Sequence, residues 1–145
     1  MLENSQYNCF SFAINKMGWA KNGEPKDLEI HGKFKVGDRV YNLRKFLVLY
    51  AEHIGEASVP SSEFGKRANI ITVTSRDELS HGYVHCTLRH IAVIDQKNPL
   101  KVWQRRGFYR PVENVSIEEC GHLGKGCFID YWKVPETENF KGFVW

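Results

Sequence analysis

The chain contains no run approaching the roughly 18 to 20 consecutive apolar residues that a membrane-spanning helix needs, so no membrane partner is expected. Its start, Met-Leu-Glu-Asn-Ser-Gln, lacks the basic stretch and apolar core of a secretory signal; a cytoplasmic protein is expected, with any export by a non-classical route. No internal repeat, low-complexity tract or linker interrupts it, so residues 1–145 are expected to form a single domain. A large charge excess is missing too. Twenty basic residues against 17 acidic ones leave a formal +3, short of the concentrated positive field of a nucleic-acid binder, so nucleic acid is disfavoured as a partner. The four cysteines, Cys9, Cys86, Cys120 and Cys127, sit in a chain too large to need disulfide staples, and free thiols are expected. What is abundant is aromatic area. Nine Phe, six Tyr and four Trp supply enough burial to offset the entropy of ordering one core.

Phe10, Ala13, Ile14 and Met17 recur at i, i+3, i+4 and i+7 and are followed by Gly18, which predicts an amphipathic helix over residues 9–17. Asn8 suits its N-cap and sets Cys9 in the first turn, at the positive end of the helix dipole. A Gly-Asp turn splits Phe34-Lys35-Val36 from Arg39-Val40. Asn42 then caps an expected second helix carrying Leu43, Phe46, Leu47, Tyr50 and Ile54, with Gly55 as its stop and a loop over residues 55–67. After residue 68 the period changes. Strands are expected near 70–74, 83–94, 100–106 and 127–134, the second and third joined as a hairpin by the turn-forming Asp95-Gln96-Lys97-Asn98-Pro99. The pattern predicts an α+β domain, with the Cys9 helix packed across an antiparallel sheet.

A thiol is a strong nucleophile at neutral pH when its pKa is lowered, as a helix N-terminus and an imidazolium partner both do. Cys9 has the first by position, and its own N–H is placed to donate to an oxyanion formed during attack on a carbonyl. His90, at the mouth of an apolar strand, is the candidate base, with His85 as the alternative. If the hairpin loop is Gln96-Lys97-Asn98, Gln104 stands opposite His90 and orients its ring; a loop one residue longer puts Arg105 there. Gln6, Asn8 and Trp103 are the candidates for a further oxyanion donor and for substrate contacts.

Asn8-Cys9 opening a helix, then Gly37-Asp38-Arg39-Val40, then residues 90–95 (His-Ile-Ala-Val-Ile-Asp), then a strand bearing a polar residue, resembles the papain-like peptidases and amidases that include NlpC/P60 and CHAP domains. The resemblance spans positions 8 to 104. It implies a papain-like (NlpC/P60-like) fold with an N-terminal nucleophile helix packed on an antiparallel β-sheet. The activity it implies is cysteine hydrolysis of amide, peptide or ester bonds, through a Cys-His dyad or triad and a thioester. A peptide or protein substrate is expected, and no cofactor.

Two other readings compete with it. His81, His85, Cys86 and His90, and separately Cys120, His122 and Cys127, are potential metal ligands, but neither group has the paired spacing of a zinc site, and no metal is expected. Lys33, Lys35, Arg39, Arg44 and Lys45, with Arg105, Arg106 and Arg110 near Trp103, Phe108 and Tyr109, suggest the alternative of a non-enzymatic protein- or nucleic-acid-binding module. Interleaved Asp38, Glu52, Asp95 and Glu113 weigh against it.

Overall fold

From residue 70 onward the chain is rich in Ile, Val, Thr, Tyr and Trp, whose branched or flat side chains fit a pleated surface. The computed structural model describes Ala13 and residues 26–27, 33–36, 39–78, 84–105, 111–120 and 126–134. A small antiparallel sheet comes first, made of β1 (Lys26–Asp27), β2 (Lys33–Val36) and β3 (Arg39–Asn42), with Val36 paired to Arg39 across the Gly-Asp connection. Helix α1 (Leu43–Tyr50) follows at once, with Leu47 buried.

The remaining elements are β4 (Glu52–Ala57), α2 (Ser62–Arg67), β5 (Ile70–Glu78), β6 (Val84–Asp95), β7 (Asn98–Gln104), β8 (Glu113–Ser116), a 3-10 turn (Ile117–Glu119) and β9 (Cys127–Lys133). The six strands from β4 to β9 form one sheet in the order β4-β9-β5-β6-β7-β8, with every neighbour antiparallel. Alternation along each strand divides this sheet into two faces. Ile71, Val73, Ala92, Ile94, Val102, Ile129 and Tyr131 line one of them and bury against Ile117 and Cys120. Ile70, Ile91, Val93 and Trp132 lie on the other.

Helix α2 closes the first face. Ser61 caps it by accepting from the Phe64 N–H at 3.2 Å, Glu63 lies in its first turn, and Lys66 and Arg67 in its last, each sign where the dipole favours it. The Phe64 ring packs 5.6 Å from that of Tyr131, and the Ser61 N–H donates to the Tyr131 hydroxyl at 2.9 Å. Close approach explains two glycines. A Cβ at Gly55 would fall 2.6 Å from the Phe64 ring, and one at Gly65 would fall 2.4 Å from the Pro99 carbonyl oxygen. At the end of β9, Asn69 accepts from the Val134 N–H at 2.8 Å and donates to the Val134 carbonyl at 3.0 Å, tying β9 to the start of β5.

The α+β, papain-like (NlpC/P60-like) class is corrected by this architecture. The described residues are mostly antiparallel strand, their helices are short, and no nucleophile helix packed on the sheet is among them. The physical reason lies in two stretches. Residues 52–57, expected as the tail of a helix and the start of a loop, form a strand paired to β9, because Ile54 and Ala57 bury against the apolar face while Glu52, His53 and Glu56 face outward. Residues 113–116 add a further strand at the opposite edge. The expected loop over 55–67 also contains α2. The helix proposed for residues 9–17 lies outside the described residues except for Ala13, which is helical and buried. Among the described residues no helix is long and apolar enough to cross a membrane.

Candidate functional site

His90 belongs to the apolar face of the sheet, paired with Val73 on β5. One residue away the register slips: Val73 pairs with His90 but Thr74 with Leu88, so Arg89 is the extra residue of a bulge. Such bulges re-aim neighbouring side chains and gather beside functional sites. Arg89 turns toward β5, where its Nε–H donates to the Ser75 hydroxyl at 3.0 Å, while His90 is 1% exposed.

The imidazole meets a polar row that crosses three strands. His90 Nε2 is 2.7 Å from Gln104 Oε1, and the Gln104 amide nitrogen donates to Glu113 Oε1 at 2.8 Å. Gln104 and Glu113 are direct cross-strand partners on β7 and β8. On β6 and β7 the printed pairs are Val93 with Trp103 and Ile94 with Val102; continuing them one residue sets Gln104 opposite Ala92, so the bond to His90 runs diagonally on the same face. Gln104 is completely buried, Glu113 only partly so. Burying a polar group is costly unless it is hydrogen-bonded, and the Gln104 amide meets that demand at both of its ends, passing polarity from the core toward the surface.

Such a row has the groups that proton handling requires. A histidine ring held in one orientation can take up and return a proton without moving, and a neutral amide orients it without repelling its charged form. The sequence-derived pair His90 and Gln104 is therefore brought together. Trp103 is not: it precedes Gln104 on β7 and points to the opposite face, across from Val93 and Asn114. Arg105, the alternative to Gln104, is 4% exposed, which also removes it from any exposed basic surface. His85 lies on β6 opposite Asp77. Cys9, Gln6 and Asn8 lie outside the described residues. Glu113 is the member that sequence reasoning missed. The signal was faint, an alternation of Glu113, Val115 and Ile117 along a strand of four residues and the turn that follows.

A second polar cluster occupies the opposite face, at the β4 edge. Asp130 is 2.9 Å from His53 Nε2 and accepts from the Thr74 hydroxyl at 3.4 Å. The His53 ring meets Trp132 edge-on at 4.7 Å, and the Trp132 indole N–H donates to the Thr72 hydroxyl at 2.9 Å. Nearby, Arg76 pairs with Glu56 and lies over the Phe128 ring, 4.3 Å from its centroid. These contacts join the edge strand to the interior of the sheet. Of the thiols, Cys120 is buried in the apolar cluster and Cys127 half-buried, neither of them in a disulfide.

No protein-family model, curated protein or solved structure matches the chain.

Proposed function

We propose that the protein is a cysteine hydrolase acting on amide, peptide or ester bonds of a peptide or protein, with Cys9 as nucleophile, His90 as base and Gln104 as the residue that orients the base. The observation that carries this reading is the 2.7 Å bond between His90 Nε2 and Gln104 Oε1 on a fully buried amide, beside a bulge. An apolar pair at these positions would fill the same space without the desolvation cost of an imidazole and a carboxamide. The cysteine enters on sequence grounds alone, as the thiol that follows Asn8 and precedes the apolar spacing of Phe10, Ala13, Ile14 and Met17.

In the reaction, His90 takes the proton of the Cys9 thiol and the thiolate attacks the carbonyl carbon. A carbon–sulfur bond forms, and the carbon–nitrogen or carbon–oxygen bond breaks as His90 returns its proton to the leaving amine or alcohol. Water, deprotonated by His90, then attacks the thioester and releases the acid and the free thiol. No cofactor is needed for either half. A reducing cytoplasm suits this chemistry and suits Cys120 and Cys127, neither of which is in a disulfide.

The test uses p-nitrophenyl acetate, whose activated ester acylates accessible thiolates. The expected result is release of p-nitrophenol with acetyl on Cys9 in the peptide map, abolished in Cys9→Ala and strongly reduced in His90→Ala. Acetylation spread evenly over the four cysteines, or unchanged in His90→Ala, would overturn the proposal and leave the binding-module reading in its place.

A further inference from the structure

We infer that Glu113 is a positioning residue that fixes the tautomer of His90. The inference deepens the reading of His90 as a base, and its logic runs inward from the sheet edge. An ionised carboxylate can only accept hydrogen bonds, so the group that Gln104 presents to Glu113 must be its NH2. A carboxamide has one nitrogen end and one oxygen end. With the nitrogen committed to Glu113, the oxygen faces His90, and a carbonyl oxygen can only accept. His90 Nε2 must therefore carry the hydrogen. In the neutral ring the lone pair, and with it the capacity to take a proton, then resides on Nδ1.

Without Glu113 the amide has no such preference. Rotation of Gln104 by half a turn would present its NH2 to Nε2, select the opposite tautomer and move the basic lone pair to the nitrogen that faces Gln104, where no substrate proton is to be collected. Geometry favours the relay as built. Gln104 and Glu113 are direct cross-strand partners, so two neighbouring backbones hold the donor and acceptor together. Glu113 is only partly buried, so its charge is kept in contact with water while its effect is delivered to a ring at 1% exposure. Charge is passed inward as hydrogen-bond direction.

The experiment is long-range proton–nitrogen correlation NMR on the full chain with nitrogen-15 histidine, assigned to His90 by its loss in His90→Gln and recorded with the ring neutral. The expected wild-type spectrum shows Nε2 in the protonated range and Nδ1 in the unprotonated range. In Glu113→Gln, whose amide both donates and accepts, the two nitrogen shifts should move toward each other as the tautomers mix; Glu113→Asp should retain the wild-type direction. An Nδ1–H tautomer in the wild type, or an unchanged pure Nε2–H tautomer in Glu113→Gln, would overturn the assignment. Failure of the hydrolase reading is seen separately: Cys9 that reacts no faster than the other cysteines, alongside a Glu113-dependent tautomer, sinks the hydrolase and leaves the relay intact.

Discussion

Replacing Gln104 by methionine keeps side-chain length and near-equal volume while deleting both polar ends of the amide, so almost no cavity forms and the polar term is isolated. Two effects compete. The His90 N–H at Nε2, 1% exposed, loses its 2.7 Å acceptor, and a buried donor stripped of its partner costs about 1–3 kcal/mol. Glu113 loses its donor as well, but it is only partly buried and regains water, so it adds little. Against this, a thioether carries no amide to desolvate, which returns roughly 1 kcal/mol. The net expectation is destabilisation of about 1 kcal/mol, the middle of a range of about 0–2 kcal/mol. Urea unfolding reads it directly: with a slope of about 1–3 kcal/mol per molar for a domain of this kind, a loss of about 1 kcal/mol should lower the midpoint by roughly 0.3–1 M with the slope unchanged. The companion variant His90→Leu and the double variant complete a cycle. Removing both partners leaves no orphan between them, so the double variant should be more stable than the sum of the single losses by about 1 kcal/mol. A Gln104→Met protein more stable than wild type, or a coupling within about 0.3 kcal/mol of zero, would refute the claim that the amide exists to satisfy the imidazole.

Gly65→Ala should destabilise by about 1–2 kcal/mol in the same assay, because the roughly 1 kcal/mol of helix propensity gained is outweighed by overlap with the Pro99 carbonyl, a backbone atom that cannot swing aside. Thr72→Val keeps the shape but strips the buried Trp132 indole of its acceptor, and thermal unfolding should show a loss of about 1–2 kcal/mol; no loss would mean that the indole finds another partner. Burial holds the Tyr131 phenol above its ordinary pKa of 10.0, with nearby Cys120 adding to the shift and the Ser61 N–H opposing it. The phenol is thus more readily ionised when unfolded, so its contribution to stability is whole below pH 10.0 and is lost as pH rises from there through the higher folded value. Alkaline unfolding followed by circular dichroism should consequently be less steep in Tyr131→Phe.

Strands β5, β6, β7 and β9 were legible because each carries a run of apolar, β-branched or aromatic residues that no helix period explains. Strand β4 was hidden because Ile54 happens to continue the helical spacing of Leu43, Phe46, Leu47 and Tyr50, although the Ala51 N–H bond to the Leu47 carbonyl is the last turn of α1. Helix α2 was hidden by Gly65, a poor helix former tolerated because Pro99 packs there. At the site, Gln104 does reach His90, at 2.7 Å, but through a register other than the one the sequence suggests. The turn is Gln96-Lys97, pinned by the Lys97 N–H to Asp95 at 2.8 Å, and Asp95 pairs with Asn98 and not with Pro99. A slip between Ile94 and Asp95 then displaces β7, so the bond forms diagonally where direct opposition was expected. Bulges of this kind depend on tertiary packing, which a count along the sequence does not contain.

The central claim is that His90 activates Cys9, and the pH dependence of Cys9 carbamidomethylation by iodoacetamide tests it most directly. In the wild type Cys9 should react faster than Cys86, Cys120 and Cys127, at a rate that holds well below the ordinary thiol pKa of about 8.5; in His90→Ala that rate should collapse to the profile of an ordinary thiol. A Cys9 profile that follows the ordinary thiol curve in the wild type, or one that His90→Ala leaves unchanged, would contradict the account.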